Sequence, residues 1–264
     1  MMRVKYKNPP INEVIIGAYF DQPVMPLHSE HIGVFWSQIR AELPNIQQQP
    51  ELTLPIVGPN ISIQFGMTDE PYPMPRFWLS SEDGSILLQI QKNAFILNWR
   101  RRAGAYPHFE NVKKLFDRYF ERFLAFLRTE LRVDDVNVQV AELTYSNLVE
   151  PGSYWMTALD TPRLLPSLAI LDVGAPADTV PDFNYVTAYR FAPDLTLNVS
   201  VRTGRQPTDA NKSVLVFELR TIGALDAVGR AEADLWYERA HETIGRCFTA
   251  MTNPDIQRNN WQEV

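Results

Sequence analysis

Residues 77–132 decide the fold, and they read FWLSSEDGSILLQIQKNAFILNWRRRAGAYPHFENVKKLFDRYFERFLAFLRTELR. Glu82-Asp83-Gly84 favours a reverse turn, because an Asp-Gly pair suits the positive backbone angles of a tight hairpin. Apolar residues then recur at every second position, both before and after a second turn at Lys92-Asn93, which is the period of a β-strand. The stretch from Phe77 to Arg100 therefore predicts three strands joined by two hairpins, an antiparallel meander.

A long amphipathic helix is predicted directly after the meander, at about residues 108–132. Its apolar side chains recur at spacings of three and four residues, and most of its charged side chains fall on the other side. The apolar stripe consists of Val112, Leu115, Phe116, Tyr119, Phe123, Phe126, Leu127 and Leu131. Burying one Phe or Leu stabilises a fold by about 1.5–3 kcal/mol, so the stripe requires a large apolar partner. We expect the helix to lie across the meander.

The rest of the chain adds further strands and two helices. A first helix is predicted with Ser29 as its N-cap and Pro44 as its end, and a final helix at about residues 231–251. Residues 204–212 are expected to form a long polar loop. Alternating patterns predict strands at Ile11–Phe20 and at residues 61–65, 136–145, 168–173, 185–191, 195–202 and 213–221.

The predicted fold class is therefore α+β, with antiparallel sheet packed against long amphipathic helices. Residues 1–150 and residues 151–264 each contribute a meander followed by a long helix. We expect two similar halves that pack closely on each other, although no repeat is visible residue by residue.

Composition narrows the range of partners. The chain of 264 residues has a net charge of −6, whereas broad nucleic-acid binding requires a basic surface. Its single cysteine, Cys247, cannot form an internal disulfide, which is natural in a reducing compartment. The N-terminus lacks the apolar run of a signal peptide, and no apolar run approaches the roughly 18–20 residues that span a bilayer. We expect a cytoplasmic protein with no membrane partner.

No familiar catalytic, phosphate-binding or cysteine-pair motif occurs in the sequence, so no catalytic residue, cofactor or metal is predicted. The closest approach to a metal cluster is His28-Ser29-Glu30-His31, where two histidines three residues apart can share a helix face. Protein zinc sites usually need three protein ligands in agreed geometry, so we interpret this segment as two surface histidines beside a helix cap.

The most basic segment is a first candidate binding surface. It comprises Trp99, Arg100, Arg101 and Arg102, with Tyr106 shortly after. Arginine offers planar bidentate donors and the aromatic rings offer stacking surfaces, so the segment could grip a phosphate or an acidic loop. The alternative is a strand end whose arginines pair with Asp134 or Asp135, and an acidic protein favours that alternative.

Polar residues on apolar strands are a second candidate site. Asn98 and Arg100 share one strand face, Glu218 shares a face with Arg220, and Glu142 shares a face with Val138 and Val140 if its strand has no bulge. A buried carboxylate is costly unless it is paired, so convergence of these groups would mark a ligand pocket. The alternative is a sheet with helices on one face and water on the other.

Diffuse motifs run through the whole chain: the opening Pro9-Pro10-Ile11-Asn12-Glu13, a hairpin ending in Asn98-Trp99, an aromatic helix after Tyr106-Pro107, and a last helix with Trp236, His241 and Phe248. In these features the chain resembles an uncharacterised, sporadically distributed family of bacterial proteins of similar length. The resemblance carries over no activity, cofactor or catalytic residue. Its patchy distribution implies an accessory role, such as a component of a toxin–antitoxin, immunity or phage-defence system.

Two functions follow as expectations. The first is a non-enzymatic protein that binds a macromolecular partner, a protein rather than nucleic acid. The alternative is a small-molecule pocket protein or an enzyme, in which a curved sheet grips a long helix around a cavity. In that case Asn98, Arg100, Glu142 and Glu218 would line the site.

Overall fold

The computed structural model describes residues 5–53, 74–170, 173, 181–206 and 209–263. It confirms the α+β class, with nine strands and five α-helices in these ranges. In chain order the elements are β1 (Ile11–Phe20), α1 (Ser29–Ile39), β2 (Asn45–Gln49), β3 (Arg76–Ser80), β4 (Ile86–Gln91), β5 (Ala94–Arg100), α2 (Phe109–Leu131), β6 (Val138–Val149), α3 (Thr161–Leu164), β7 (Asn184–Ala192), β8 (Leu195–Gln206), β9 (Asp209–Val228), α4 (Arg230–Met251) and α5 (Pro254–Asn259).

All nine strands join one antiparallel sheet in the order β2-β3-β4-β5-β1-β6-β9-β8-β7. The meander β3-β4-β5 forms as predicted, and Gly84 has a φ of 68° in its first turn, where a residue without a Cβ fits best. The next element, α2, begins and ends within one residue of the predicted helix.

The sheet order is mirrored about its centre. From the centre outward, β1-β5-β4-β3-β2 form one side and β6-β9-β8-β7 form the other. On each side a central strand pairs with the last strand of a meander, and a long helix follows that last strand. This order groups β6 with the C-terminal strands, whereas the predicted division at residue 150 places it in the N-terminal half. The division into two similar halves stays a prediction.

The five helices bury side chains against the same face of the sheet, and these side chains belong to one continuous core with Phe35, Phe116, Leu164, Trp236 and Ile256 among its members. On β5, the ring of Phe95 lies 5.0–5.8 Å from three phenylalanine rings of α2. None of the described helices combines the length and the apolar composition that crossing a bilayer requires.

A buried lysine joins the two long helices. Lys113 of α2 is only 8% exposed, and its ammonium group lies 2.6 Å from carboxylate oxygens of both Asp117 and Asp234. Arg230 of α4 contacts the same two carboxylates. Each charge therefore has an opposite charge beside it, and the network fixes α4 alongside α2 over the centre of the sheet.

Several predicted boundaries were wrong. Ser29 is the first helical residue and His28 occupies the N-cap position, where its backbone N–H donates to Nδ1 of His31 at 3.1 Å. The helix ends at Ile39, and a turn leads from it to the unpredicted strand β2. Most side chains of β2 are exposed at the edge of the sheet, so its sequence is mostly polar. It therefore lacks the apolar alternation from which a strand is predicted.

The second half holds the remaining corrections. Residues 168–170 are not in a strand, and the predicted strand at 61–65 lies outside the described residues. The predicted polar loop at 204–212 is largely strand, because β8 continues to Gln206 and β9 resumes at Asp209. Pairing across these strands extends to Gln206 and Asp209, so backbone hydrogen bonding prevails over the polar composition.

Candidate functional site

A cavity of about 660 Å³ lies on the helix-bearing face of the sheet. Its lining comes from the segment before β1, the loop into α2, strand β6 and one side of α4. The residues that define it are Tyr6, Tyr106, Phe109, Tyr145, Asn147, His241 and Phe248. Pockets for small ligands enclose about 300–1,000 Å³ behind mostly apolar walls with a few polar groups, and this cavity fits that description.

Three polar side chains form a chain of contacts in the cavity wall. The hydroxyl of Tyr106 lies 3.2 Å from the hydroxyl of Tyr145, which in turn lies 2.9 Å from Nδ1 of His241. The imidazole stacks on the ring of Phe109 with centroids 4.1 Å apart and an interplanar angle of 14°. Burial raises the pKa of Tyr106, so its hydroxyl stays protonated and able to donate.

Local structure explains how these side chains meet. Tyr145 and Asn147 alternate with outward-facing residues along β6, so both point to the helix side. His241 follows Tyr237 by one helical turn on α4, and the Tyr237 hydroxyl donates to the carbonyl oxygen of Gly17 at 2.8 Å. That hydrogen bond ties α4 to β1, and in this position of the helix His241 contacts Tyr145.

The backbone at the rim of this cavity is strained. His108 lines the cavity and precedes α2 with a φ of 65°, in the region that favours glycine. A non-glycine residue held there costs on the order of 1–3 kcal/mol, and such residues cluster at functional sites. In this backbone conformation the ring of His108 lies against the ring of Tyr106, with centroids 5.6 Å apart.

Asn147 has an unused acceptor in the lining of the cavity. Its Nδ2 donates to the carbonyl oxygen of Phe217 at 2.9 Å, whereas its Oδ1 is buried and has no hydrogen-bond partner. The residue is only 1% exposed. Leaving a buried acceptor unpaired costs about 1–3 kcal/mol, so an N–H or O–H of a bound molecule would stabilise this side chain.

The predicted basic segment does not stay together. Tyr106 lines the cavity and packs on Trp99 with centroids 5.4 Å apart. Arg100 lies on the other face of the sheet, Arg101 lines a separate cavity of about 320 Å³, and Arg102 is exposed. Their expected pairing with Asp134 or Asp135 was wrong. Arg100 pairs instead with Glu13 at 2.8 Å, and Nη2 of Arg101 donates to the carbonyl oxygen of Pro9 at 2.9 Å.

The other predicted residues lie together on the face of the sheet that no described helix covers. We call this surface the polar face, and it is defined by Glu13, Asn98, Arg100, Glu142, Asn198, Glu218 and Arg220. On the β1 and β5 part of this face, Oε1 of Glu13 accepts hydrogen bonds from Asn98 Nδ2 and Arg100 Nε, both at 2.8 Å. None of the four predicted residues Asn98, Arg100, Glu142 and Glu218 lines the 660 Å³ cavity.

Glu142 is at the centre of a buried ion pair on the polar face. Arg220 donates to its two oxygens at 2.9 and 3.0 Å, and the hydroxyls of Tyr19 and Thr144 donate at 2.9 and 3.0 Å. Burial alone would raise the pKa of Glu142, but Arg220 and these hydrogen bonds hold it below its ordinary value. Val138 was expected to share this face only if the strand had no bulge. The pairing register does shift between Val138 and Val140, so Val138 joins the helix-side core instead.

Glu218 differs from Glu142 in its surroundings. Burial raises the pKa of its carboxyl group, an effect that Arg220 only partly opposes and Glu142 reinforces. Its β-sheet neighbours on this face are Ser146 and Ser200. Glu218 is therefore a carboxyl group with a reduced tendency to ionise, beside a strongly ionised one.

Sequence reasoning missed Tyr145, Asn147 and His241. The signal for Asn147 was available, since it is a polar residue at the helix-side positions of an otherwise apolar strand. The contact of Tyr145 with His241 joins residues 96 positions apart and leaves no local pattern. Among the described residues, no three or more His, Cys, Asp or Glu side chains are placed to bind one ion, at His28–His31 or elsewhere.

No protein-family model matches the chain, and neither a curated protein nor a solved structure is similar enough to count as a match.

Proposed function

We propose that this protein binds a small molecule in the cavity between α2 and α4. The observation that carries the proposal is the orphaned Oδ1 of Asn147, buried in a lining that also holds several aromatic rings and the Tyr106–Tyr145–His241 contacts. Aromatic walls with a few oriented polar groups are the usual composition of a ligand pocket. This is the alternative function expected from the sequence, at a site built from different residues.

The lining also limits the chemistry of the ligand. Lys5 lies 3.6 Å from Glu110, and Arg239 pairs with Asp194, so these charged groups of the lining already have opposite charges nearby. Glu242 and Arg246 add one charge of each sign to the lining, and the guanidinium of Arg246 lies 5.4 Å from the ring centroid of Phe191. We therefore propose an uncharged, largely planar ligand with an N–H or O–H that Asn147 accepts. A library of cytoplasmic metabolites suits the compartment expected from the sequence.

Blocking the cavity tests this proposal. Gly245 of α4 lines the cavity, and a Cβ placed on it would meet nothing within 4 Å. Gly245→Leu is expected to intrude into the cavity and to weaken the binding of molecules found by thermal-shift and native mass-spectrometric screening of the library. Gly245→Ala adds a single methyl group and is expected to retain binding. A screen without binders, or binders unaffected by Gly245→Leu, would contradict the proposal.

A protein partner is a second candidate, and the outer edge of β7 favours it. Four apolar or aromatic side chains of this edge strand, Tyr185, Val186, Tyr189 and Phe191, are 38–47% exposed. An edge strand with exposed apolar side chains is a template for added strands and for docking. An accessory role in a toxin–antitoxin, immunity or phage-defence system belongs to this second proposal.

Charged substitutions at this edge test the second candidate. We expect the protein, tagged and co-expressed with its neighbouring genes, to recover a stoichiometric partner. The double variant Val186→Lys, Tyr189→Lys is expected to lose that partner, because edge lysines oppose strand addition. Leu235→Lys, at a 68% exposed site on α4, adds a charge elsewhere and should keep it. Equal recovery by all three proteins, or no partner at all, would exclude the β7 edge.

A further inference from the structure

A smaller cavity of about 320 Å³ lies where the segment before β1 meets the ends of β5 and β6. The polar side chains in its lining are Asn8, Asn12, Arg101, Glu150 and Tyr154. Asn8 and Glu150 are exposed, so the smaller cavity reaches the protein surface and a small molecule can enter it. It shares Pro9 and Ile11 with the 660 Å³ cavity, but the two cavities have no polar side chain in common.

Backbone hydrogen bonds hold the walls of the smaller cavity in place. The N–H of Arg101 donates to the carbonyl oxygen of Asn12 at 2.7 Å, and the N–H of Leu148 donates to that of Pro10 at 2.9 Å. The pairing register of β1 with β6 shifts at Asn12, which is the extra residue of a β-bulge. Bulges redirect side chains and are frequent beside functional sites. The walls are therefore formed before any ligand binds.

The guanidinium of Arg101 has no acidic partner among the described residues. Its Nη2 donates to the carbonyl oxygen of Pro9 at 2.9 Å, and its Nε is shielded without a hydrogen-bond partner. Its Nη1 also has no partner among these residues, but it is not shielded and remains accessible. Burial lowers the pKa of Arg101, and no neighbouring carboxylate opposes this effect. A charge drawn out of water without a counter-charge is costly, so an anion in the smaller cavity would stabilise this side chain.

We propose that the smaller cavity binds a small monocarboxylate, whose carboxylate group accepts hydrogen bonds from Arg101. A carboxylate matches the planar guanidinium and accepts its N–H groups in charge-assisted hydrogen bonds. The side chains of Asn8 and Asn12 form no hydrogen bond with the described residues, so their amide N–H groups are available to the same carboxylate. This site goes beyond the proposed function, which concerns an uncharged ligand in the other cavity.

The rest of the lining limits the charge and the size of this ligand. The Glu150 side chain lines the same cavity, and its Oε1 accepts from Gln206 Nε2 at 2.9 Å. One arginine facing one glutamate favours a monoanion over a dianion such as phosphate. The volume is near the lower end for ligand pockets, and the prolines and the Tyr154 ring offer apolar walls to a short hydrocarbon body. Benzoate has these properties.

Benzoate is therefore a suitable probe, methyl benzoate offers the same ring without the charge, and inorganic phosphate tests a dianion. Titration of benzoate into isotope-labelled protein is expected to shift the backbone amide signals of Asn12, Arg101 and Glu150 to saturation. Methyl benzoate is expected to leave these signals in place, and phosphate is expected to bind more weakly than benzoate. Added salt is expected to weaken benzoate binding, because it screens the attraction between the two charges.

Two charge-changing variants are expected to act in opposite directions. Arg101→Met is expected to weaken benzoate binding about ten- to hundredfold, the effect of losing hydrogen bonds to a charged group. Glu150→Gln removes the opposing charge and keeps an oxygen that can accept from Gln206, so it is expected to tighten binding up to about fivefold. Gly245→Leu, which intrudes into the other cavity, is expected to leave benzoate binding unchanged.

These variants separate a ligand site from an arginine that only anchors residues 9–12. Replacing such an anchor would lower the melting temperature without changing the affinity for benzoate. Because Glu150 is exposed, Glu150→Gln tests the charge of the site even if Arg101→Met does not fold. Absence of benzoate shifts, equal affinity of Arg101→Met and the unmodified protein, weaker binding by Glu150→Gln, or tighter binding of methyl benzoate or phosphate than of benzoate would each overturn the proposal.

Discussion

The Gly223→Ala variant is expected to lose about 2–4 kcal/mol of unfolding free energy, the sum of overpacking a core and breaking a buried hydrogen bond. A Cβ on Gly223 of β9 would lie 2.3 Å from Nε1 of Trp236 and 2.7 Å from the carbonyl oxygen of Asp194. The indole of Trp236 is fully buried and donates to that same carbonyl oxygen at 2.7 Å. This contact seats α4 on the sheet, so the added methyl group must displace the helix or the turn.

Urea unfolding followed by tryptophan fluorescence measures this effect. Gly245→Ala in α4 is the matched control, because a methyl group there meets nothing within 4 Å. Exchanging a helical glycine for alanine stabilises by about 0.5–1 kcal/mol, so the control is expected to move in the opposite direction. Equal unfolding midpoints for Gly223→Ala and the unmodified protein would show that α4 does not rest on β9 as described.

The Arg220→Met variant is expected to lose about 3–5 kcal/mol at neutral pH, since it leaves the buried Glu142 carboxylate without its counter-charge. In the unmodified protein the side chains of Arg220 and Glu142 are only 13% and 7% exposed, so solvent screens the pair little. The double variant Glu142→Gln, Arg220→Met removes both charges and is expected to regain most of the loss. Circular-dichroism melts and urea titrations give the three free energies.

The pH dependence of the two proteins should have opposite signs. The pKa of Glu142 is held below its ordinary value of 4.5, so its contribution to stability is present above about pH 4.5 and is lost as the pH falls. In Arg220→Met only burial and two hydroxyl hydrogen bonds remain, and we expect the pKa of Glu142 to rise. The variant then loses stability as the pH rises through this higher pKa. A stability difference that stays constant between acidic and neutral pH would contradict the ion-pair account.

The mid-chain part of the fold could be predicted because its determinants are local. Asp83-Gly84 sets a hairpin through a positive φ, and Phe95, Leu97 and Trp99 mark one face of β5 by simple alternation. The aromatic stripe of α2 required an apolar surface, and β5 with β1 supplies it. Where the period of the apolar residues and the turn residues indicate the same structure, the local sequence is sufficient to predict it.

Other features have no local determinant. The bulge between Val138 and Val140 reverses the side on which Val138 lies, and nothing in an alternating apolar run announces it. Asn253-Pro254 directly follows the predicted final helix, yet the Asn253 side chain caps a further helix, α5, by accepting from the Asp255 N–H at 2.8 Å. The same residues can end one helix and cap the start of the next, so the sequence alone does not show which of these roles they have.

The cavity could not be predicted, because it is formed by contacts between segments that are far apart in the sequence. Tyr106 was a candidate because of its neighbours in sequence, but its role in the structure comes from Tyr145 and, through it, His241. From the sequence, Asn98 with Arg100 and Glu218 with Arg220 were each expected to share a strand face, and either a pocket or an open sheet face could follow from that. The pairing of Glu142 with Arg220 followed from strand register, which the sequence does not specify across 78 positions.

The most direct test of the account is a crystal structure of the protein with the tightest binder from the metabolite screen. We expect the ligand to occupy the cavity between α2 and α4, with a donor atom within hydrogen-bonding distance of Asn147 Oδ1 and its planar part against the rings of Tyr106 and Phe109. A ligand found elsewhere on the protein, with Asn147 Oδ1 unpaired or bound only to water, would contradict the account.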